Sequence, residues 1–516
     1  MVKLQRALIS VSDKQGIAEL ARILNRFNVE IIASSGTAEL LKKARIPAKK
    51  IESISSFPEI LGGRVKTIHP KIFGGILSRR TKADEAELRK HKIKPIDLIV
   101  VNLYPFKETA SKTEDMKSII EKIDIGGVAL LRAAAKNFER VAVVSSPKQY
   151  AALMDELIQS NGRISFSTRE RLAVEAFSET AAYETIISQF FWRKFSTESF
   201  PEKFTASFEK IMDLRYGENY QQKGSFYKEP AVKEPCIAIA EVMNGKQLSF
   251  NNIFDADAAI ELVKEFREPA AVIIKHGNPC GAASSNSVSD AFRKALACDP
   301  ASAFGGIIAF NRKCDTATAK KITSFFNEIV IAPDFDSVAL NILKRKKNLR
   351  VLRVNGLDRQ FSYSDEFSFK KVVGGLLLQE RDTKGISSRD LKFVSKKKPS
   401  KKELSSMLFA WRVAKHAKSN AIVLAKENQT IGIGAGQTSR VEAVKIAIGK
   451  AGKRAQNSVI ASDGFFPFAD SIELAAKAGV AGLIEPGGSV KDEEVVKAAN
   501  KAKISLVFTG IRHFRH

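Results

Sequence analysis

Along the first 150 residues, short apolar runs alternate with helical patterns, and each run stops at a polar cluster. Ala7-Leu8-Ile9-Ser10-Val11 precedes a helical pattern over Ile17 to Phe27; Val29 to Ala33 precedes another over Ala38 to Ala44. Leu98-Ile99-Val100-Val101 and Val141-Ala142-Val143-Val144 continue the series. This alternation predicts βαβ units around a parallel sheet, an α/β fold. The strand ends carry Ser12-Asp13-Lys14, Ser34-Ser35-Gly36-Thr37, Asn102-Leu103-Tyr104-Pro105 and Ser145-Ser146-Pro147. A parallel sheet gathers such ends at one edge, where ligands bind. Ser34 to Thr37 leads straight into a helical pattern, so its hydroxyls and the free amides of the first turn form a phosphate cradle, or simply an N-cap.

At 516 residues the chain exceeds what one hydrophobic core organises, so two or more domains are expected. A long helical pattern from Arg163 to Ser196 ends in Phe195-Ser196-Thr197-Glu198-Ser199-Phe200-Pro201, which places a boundary between 1–198 and 199–516. The second part has its own strand-like runs near Cys236 to Ala240, Ala271 to Ile274, Gly306 to Phe310, Ala421 to Ala425 and Val459 to Ser462. At the end of one of them stand Lys275 and His276, followed by the glycine-rich turn Gly277-Asn278-Pro279-Cys280-Gly281. An ammonium that binds a substrate oxygen beside an imidazole that takes a proton is a useful pair, and glycines let a ligand approach the backbone.

Other chemistries are weighed against this. A net charge of +26 invites a nucleic-acid partner, yet the basic residues are spread along the chain without a basic tail or an aromatic-studded motif. Anionic small substrates are the more economical partners. No apolar stretch reaches membrane-span length and Met1 to Lys14 lacks a secretory core, so a soluble, cytoplasmic protein is expected, with no membrane or nucleic-acid partner. Four scattered cysteines, Cys236, Cys280, Cys298 and Cys314, suit reduced thiols. Pro279-Cys280 starts a zinc-deaminase signature, but Ala283 stands where its second cysteine belongs, so no metal is expected. Gly432-Ile433-Gly434-Ala435-Gly436 imitates a dinucleotide fingerprint with its third glycine misplaced and its acidic residue missing, which leaves a nicotinamide-dependent oxidoreductase as the weaker alternative.

Taken in order, several segments resemble the bifunctional family that joins aminoimidazole carboxamide ribonucleotide (AICAR) formyltransferase to inosine monophosphate (IMP) cyclohydrolase. They are Ser10 to Lys14, Leu61 to Pro70, Asn102 to Phe106, Asp124 to Gly127, Leu131 to Asn137, Leu214 to Gly217, the Lys275, Ser302 and Gly432 segments, Ala461 to Phe468, and Pro486 to Ser489. The resemblance implies a methylglyoxal-synthase-like cyclohydrolase domain over 1–198. It also implies a formyltransferase region of cytidine-deaminase-like subdomains without zinc over 199–516. With these come 10-formyltetrahydrofolate as co-substrate and a homodimer with transferase sites at the subunit interface.

Carried over residue by residue, the resemblance makes His276 the base of formyl transfer, Lys275 the oxyanion partner and Asn420 the orienting group. Arg215, Tyr216, Gly305, Asp315, Arg440 and Arg512 resemble nucleotide contacts; Val441, Phe465 and Asp470 resemble folate contacts. For cyclisation it makes Lys136 the proton donor or acceptor, with Lys66, Tyr104 and Asp124 arranging the amide and the leaving oxygen. Ser12, Asp13, Lys14, Ser34, Ser35, Gly36, Thr37, Arg64, Thr67, Asn102 and Ile125 resemble its nucleotide pocket. Ser35 in place of glycine, Tyr220-Gln221 in place of Pro-His, and Ala469 in place of arginine depart from the family pattern.

Overall fold

A computed structural model describes residues 1–230, 232–359 and 367–516. The chain divides into two compact units, Met1–Ser207 and Phe208–His516.

In the first unit, five parallel strands run in the order Lys49–Lys50, Glu30–Ala33, Arg6–Val11, Leu98–Asn102 and Ala142–Val144. The central strands are mostly apolar and buried between helices, and the edge strand Lys49–Lys50 is exposed; Leu98 to Val101 and Ala142 to Val144 are almost wholly inaccessible. Chain order moves outward from Arg6–Val11 on one side and then returns to its other side. The carboxyl ends of Arg6–Val11 and Leu98–Asn102 therefore flank the point where strand order reverses, where a crevice opens in such sheets. The predicted long helix is Phe166–Phe195, N-capped by Ser165, whose Oγ accepts the Thr168 N–H at 3.2 Å.

The second unit is built on one mixed sheet of twelve strands. Two halves repeat the same order of elements. In the first, helix Phe250–Val263 leads into the hairpin Ala270–Lys275 and Asn278–Ser284, followed by strands Ile307–Phe310, Ile329–Ala332 and Arg350–Arg353 with helices between. In the second, helix Lys401–Lys415 leads into the hairpin Ile422–Lys426 and Gln429–Gly434, then Val459–Ser462, Gly482–Glu485 and Ser505–Phe508. The halves join where Asn278–Ser284 meets Gln429–Gly434, antiparallel, at the middle of the sheet.

Three expectations change. Cys236 to Ala240 is no strand: Ile237–Ile239 is a short 3-10 turn, and the strand follows it at Glu241–Asn244. The segment Asn278 to Gly281 is not loop but strand, and the turn is only His276-Gly277. Gly432 and Gly434, in the imitation of a dinucleotide fingerprint, lie inside a strand rather than after one. A Cβ on either would stand 2.1 Å from a carbonyl oxygen of helix Arg440–Ala451, that of Ala447 or Ala443, so these glycines let the helix lie close on the sheet.

Candidate active sites

The crevice of the first unit is organised by Asn102, whose Oδ1 accepts the N–H groups of Ser12 and Asp13 at 2.6 and 2.8 Å while its Nδ2 donates to the Asp13 carbonyl at 2.8 Å. Lys14 Nζ donates to Thr37 Oγ1 at 2.8 Å, and Ser34 Oγ donates to the same oxygen at 3.3 Å. Ser34 is the N-cap of helix Ser35–Lys43, yet its side chain makes no capping bond, and a Cβ at Gly36 would meet nothing. The cradle is thus open, with a lysine beside free helix amides. Burial, and then the charge of Lys66, holds the Lys14 ammonium below its usual range. Two cations converging in a half-buried crevice call for an anion.

Next to the cradle, Lys66 Nζ donates to Tyr104 Oη at 3.0 Å. Asp124 Oδ1 accepts the Gly127 N–H at 2.6 Å; burial raises its pKa, with that bond and the Lys66 charge acting against the rise. Added Cβ atoms at Gly126 and Gly127 would stand 2.5 Å from Thr67 Oγ1 and from Asp124 Oδ2, which explains the paired glycines. Ile125 is exposed beside them. Arg64 pairs with Glu121 on the surface. Ser35, the departure from glycine, donates to Glu52 Oε1 and Glu59 Oε2 at 3.1 and 3.0 Å.

Lys136 lies at the far end of the helix that the paired glycines begin. It ends helix Gly126–Lys136, an 11-residue helix whose ends lie about 15 Å apart. The helix returns the chain to the amino-terminal edge of the sheet, where the Val141 N–H bonds the Asn137 carbonyl before strand Ala142–Val144. Tyr104 follows the carboxyl end of Leu98–Asn102. Within the unit Lys136 thus stands at the other end of this helix from Asp124.

In the second unit, His276 and Gly277 both have positive φ, 53° and 71°, the two-residue turn that suits a hairpin's twist. Asp255, a residue the sequence reading missed, fixes the turn: its carboxylate accepts the His276 and Gly277 N–H groups at 3.0 and 2.6 Å. A Cβ on Gly277 would meet the Phe254 ring at 2.7 Å. His276 itself is exposed. Lys275 Nζ donates to the Phe304 carbonyl at 2.8 Å, which places it beside Gly305.

The turn is tied to the second half-sheet by the Lys418 N–H, which donates to Asn278 Oδ1 at 2.9 Å. Two residues on, Asn420 Nδ2 donates to the Gln437 carbonyl at 2.8 Å and its Oδ1 accepts from Arg440 at 2.7 Å. Arg440, buried, also donates to Ser462 Oγ at 2.8 Å and pairs with Asp463. Asn420, Arg440, Val441, Phe465 and Asp470 line one cleft of about 470 Å³, joined there by Thr438, Ser439, Pro467, Phe468, Ser471 and Phe514. Phe465 is 38% exposed, a wall residue rather than core. Arg512 lies 4.5 Å from the Phe514 ring centroid.

Arg215 stacks over the Tyr216 ring at 5.9 Å, in a loop bonded through its Glu218 carbonyl to Asn251. Tyr220, in the second departure, points into solvent at 87% exposure. Asp315 lies apart from Lys275. Strand Ile307–Phe310 runs antiparallel to Ala270–Lys275, with Ile307 opposite Ile274 and Phe310 opposite Ala271, so Asp315 follows the far end of the strand. There it caps a helix through the Thr318 N–H at 2.7 Å. Among the described residues, no group of three or more His, Cys, Asp or Glu side chains is placed to hold a metal ion, and no helix is long and apolar enough to cross a membrane.

Two α/β units, one with an anion cradle beside a lysine–tyrosine–carboxylate group and one with a lysine–histidine turn beside a cleft, define a two-site enzyme. The chain belongs to the AICARFT/IMPCHase bienzyme family, whose model matches residues 134–450, and an MGS-like domain matches residues 16–129. It is 49% identical over 514 residues to the bifunctional purine biosynthesis protein PurH of Thermoanaerobacter sp. (strain X514), covering 99% of this chain and 100% of that protein. The PurH proteins of Acetivibrio thermocellus and Halalkalibacterium halodurans are 48% and 49% identical over the same shares. The chain is therefore a bifunctional enzyme with AICAR formyltransferase and IMP cyclohydrolase activities.

Proposed function

We propose that the chain makes IMP in purine biosynthesis by two reactions kept in separate units. Formyl transfer from 10-formyltetrahydrofolate takes place in the region from 199 onward and ring closure in residues 1–198. The observation that carries this reading is that the Lys66–Tyr104–Asp124 group and the Lys275–His276 turn belong to different compact units.

In the transferase, the ring amine of AICAR is weakened by conjugation with its carboxamide. His276 takes the amine proton as nitrogen attacks the formyl carbon, and the Lys275 ammonium faces the oxyanion that forms. The folate nitrogen then leaves with a proton. Asn420, held on both sides of its amide, orients the groups, and Arg440 keeps it there. Val441, Phe465 and Asp470 face the folate. Nucleotide contacts come from Arg215, Tyr216, Gly305, Asp315, Arg440 and Arg512. In the cyclohydrolase, the carboxamide nitrogen attacks the new formyl carbon and water leaves. Lys66 and Tyr104 polarise the formyl oxygen, Asp124 receives the amide, and the Ser12 to Lys14, Ser34 to Thr37, Arg64, Thr67, Asn102 and Ile125 set holds the nucleotide.

The same reading makes the protein a cytoplasmic homodimer. Asp315 lies at the opposite sheet edge from Lys275 within one chain, so it joins a transferase site when a second copy supplies it. The hairpin Phe367–Val372 and Gly375–Glu380 exposes Phe369, Val372, Leu376 and Leu377, apolar surface suited to that partner. Chains carrying Lys275→Ala and chains carrying Asp315→Ala, each inactive in formyl transfer, should recover about a quarter of the wild-type rate when refolded together, because half the dimers then hold one intact composite site. Mixtures without recovery would contradict the shared site.

No step above uses a metal. Formyl transfer and cyclisation should both keep their rates in excess chelator; loss of either, restored by a divalent cation, would overturn that part of the mechanism. The experiment for the function as a whole is incubation with AICAR and 10-formyltetrahydrofolate, with IMP as the product sought.

A further inference from the structure

One wall of the transferase cleft is the segment Phe465 to Phe468. Phe465, Pro467 and Phe468 line the cleft, while Phe466 turns inward and is fully buried. The backbone of this segment is held by Glu485: the Phe466 N–H donates to Glu485 Oε2 at 2.6 Å. Glu485 ends strand Gly482–Glu485, and its carbonyl accepts the Thr509 N–H at 2.8 Å, so the sheet fixes its place. Its side chain is inaccessible, and its second oxygen, Oε1, has no hydrogen-bond partner in the structure. Nothing in the two reactions above uses this acid.

A buried carboxyl group with one satisfied oxygen is stable there only while neutral, since the charged form needs several donors or water. Burial pushes the Glu485 pKa up to about 8 against the Phe466 N–H bond, which favours the charged form; the charge of Asp492 on helix Asp492–Lys501 adds to the rise and Arg440 on helix Arg440–Ala451 acts the other way. Asp463, after strand Val459–Ser462, is a further buried acid at this sheet edge; Arg440 pairs with its Oδ1, and its Oδ2 has no partner in the structure.

We propose that Glu485 is a positioning residue for the formyl donor: in its neutral form it holds Phe466 and hence the cleft wall, and loss of its proton draws in water and loosens that wall. This rests on the reading of the cleft as the donor site. Because the wall faces the donor rather than the cyclohydrolase crevice, donor affinity is the quantity that responds.

The test is steady-state kinetics of the full chain between pH 6.5 and 9, varying donor and AICAR separately. Glu485→Leu should raise the donor KM by about tenfold at pH 7, the usual worth of one buried hydrogen bond, with AICAR KM and cyclisation unchanged. Glu485→Gln keeps an acceptor and should recover most of that loss. In wild type the donor KM should climb severalfold as pH passes about 8, and in Glu485→Gln it should stay flat. Stability gives a second readout. The folded acid holds its proton to about pH 8 against an ordinary value of 4.5, so the stability associated with it is full below that ordinary value and lost as pH rises through about 8. The Tm of Glu485→Gln should therefore exceed that of wild type by a margin that widens from pH 5 to pH 8.5. An unaltered pH dependence of donor KM in Glu485→Gln, or an equal rise of both KM values in Glu485→Leu, overturns the proposal. Val441→Trp, which crowds the cleft, separates the two levels. If it leaves donor KM unchanged, the cleft reading fails and this inference with it. If it raises donor KM while the Glu485 variants do not, this inference alone fails.

Discussion

Replacing His276 with alanine is expected to lower formyl transfer by about 10²- to 10⁴-fold, the usual contribution of a positioned acid or base, and to leave cyclisation of supplied formyl-AICAR within about twofold of wild type. The side chain is exposed at the tip of a hairpin, and the turn is held through backbone N–H groups by Asp255 rather than through the imidazole. The substitution therefore removes chemistry without removing an anchor. Initial rates of formyl-AICAR formation, measured with a separate cyclohydrolase to drain the product, provide the check. An unchanged transfer rate in folded protein would remove His276 from the mechanism.

Lys66→Ala should produce the mirror image, a loss of cyclisation by about 10²-fold or more with initial formyl transfer intact, because it removes the cation that bonds the Tyr104 hydroxyl and acts on Asp124. Lys136→Ala is the informative contrast. Its place at the other end of an 11-residue helix predicts a fall in cyclisation of less than about tenfold. Both rates follow from the conversion of formyl-AICAR to IMP by each variant. If Lys136→Ala equals Lys66→Ala, the lysine reaches the reacting atoms by a route that a single unit does not display.

The first unit was largely legible in the sequence because its central strands are mostly apolar runs that end in polar clusters; the edge strand Lys49–Lys50 has no such pattern. Ser12 to Lys14 and Asn102 to Tyr104 could be placed at one edge by the parallel order alone. The hairpin around His276 was less so: Asn278-Pro279-Cys280-Gly281 has poor strand propensity, and it becomes strand because Ala270–Lys275 supplies its ladder. The paired glycines of 432 and 434 carry the same residues whether they cradle a phosphate or admit a helix; only the helix seated on them decides. Lys136 and Asp315 show the limit of reading motifs as neighbours. Within one chain a helix separates the first from Asp124, and a strand the second from Lys275. Asp255 and Glu485 escaped notice because each acts on a backbone N–H far away in sequence, and no local pattern marks such a carboxylate.

The central claim is that two independent sites act in succession. It is tested most directly by mixing His276→Ala protein with Lys66→Ala protein in the presence of AICAR and 10-formyltetrahydrofolate and following IMP. Each variant alone should make almost none, and the mixture should make IMP at a substantial fraction of the wild-type rate, because formyl-AICAR released by one protein is closed by the other. A mixture no faster than the better single variant would contradict the assignment of the two reactions to separate units.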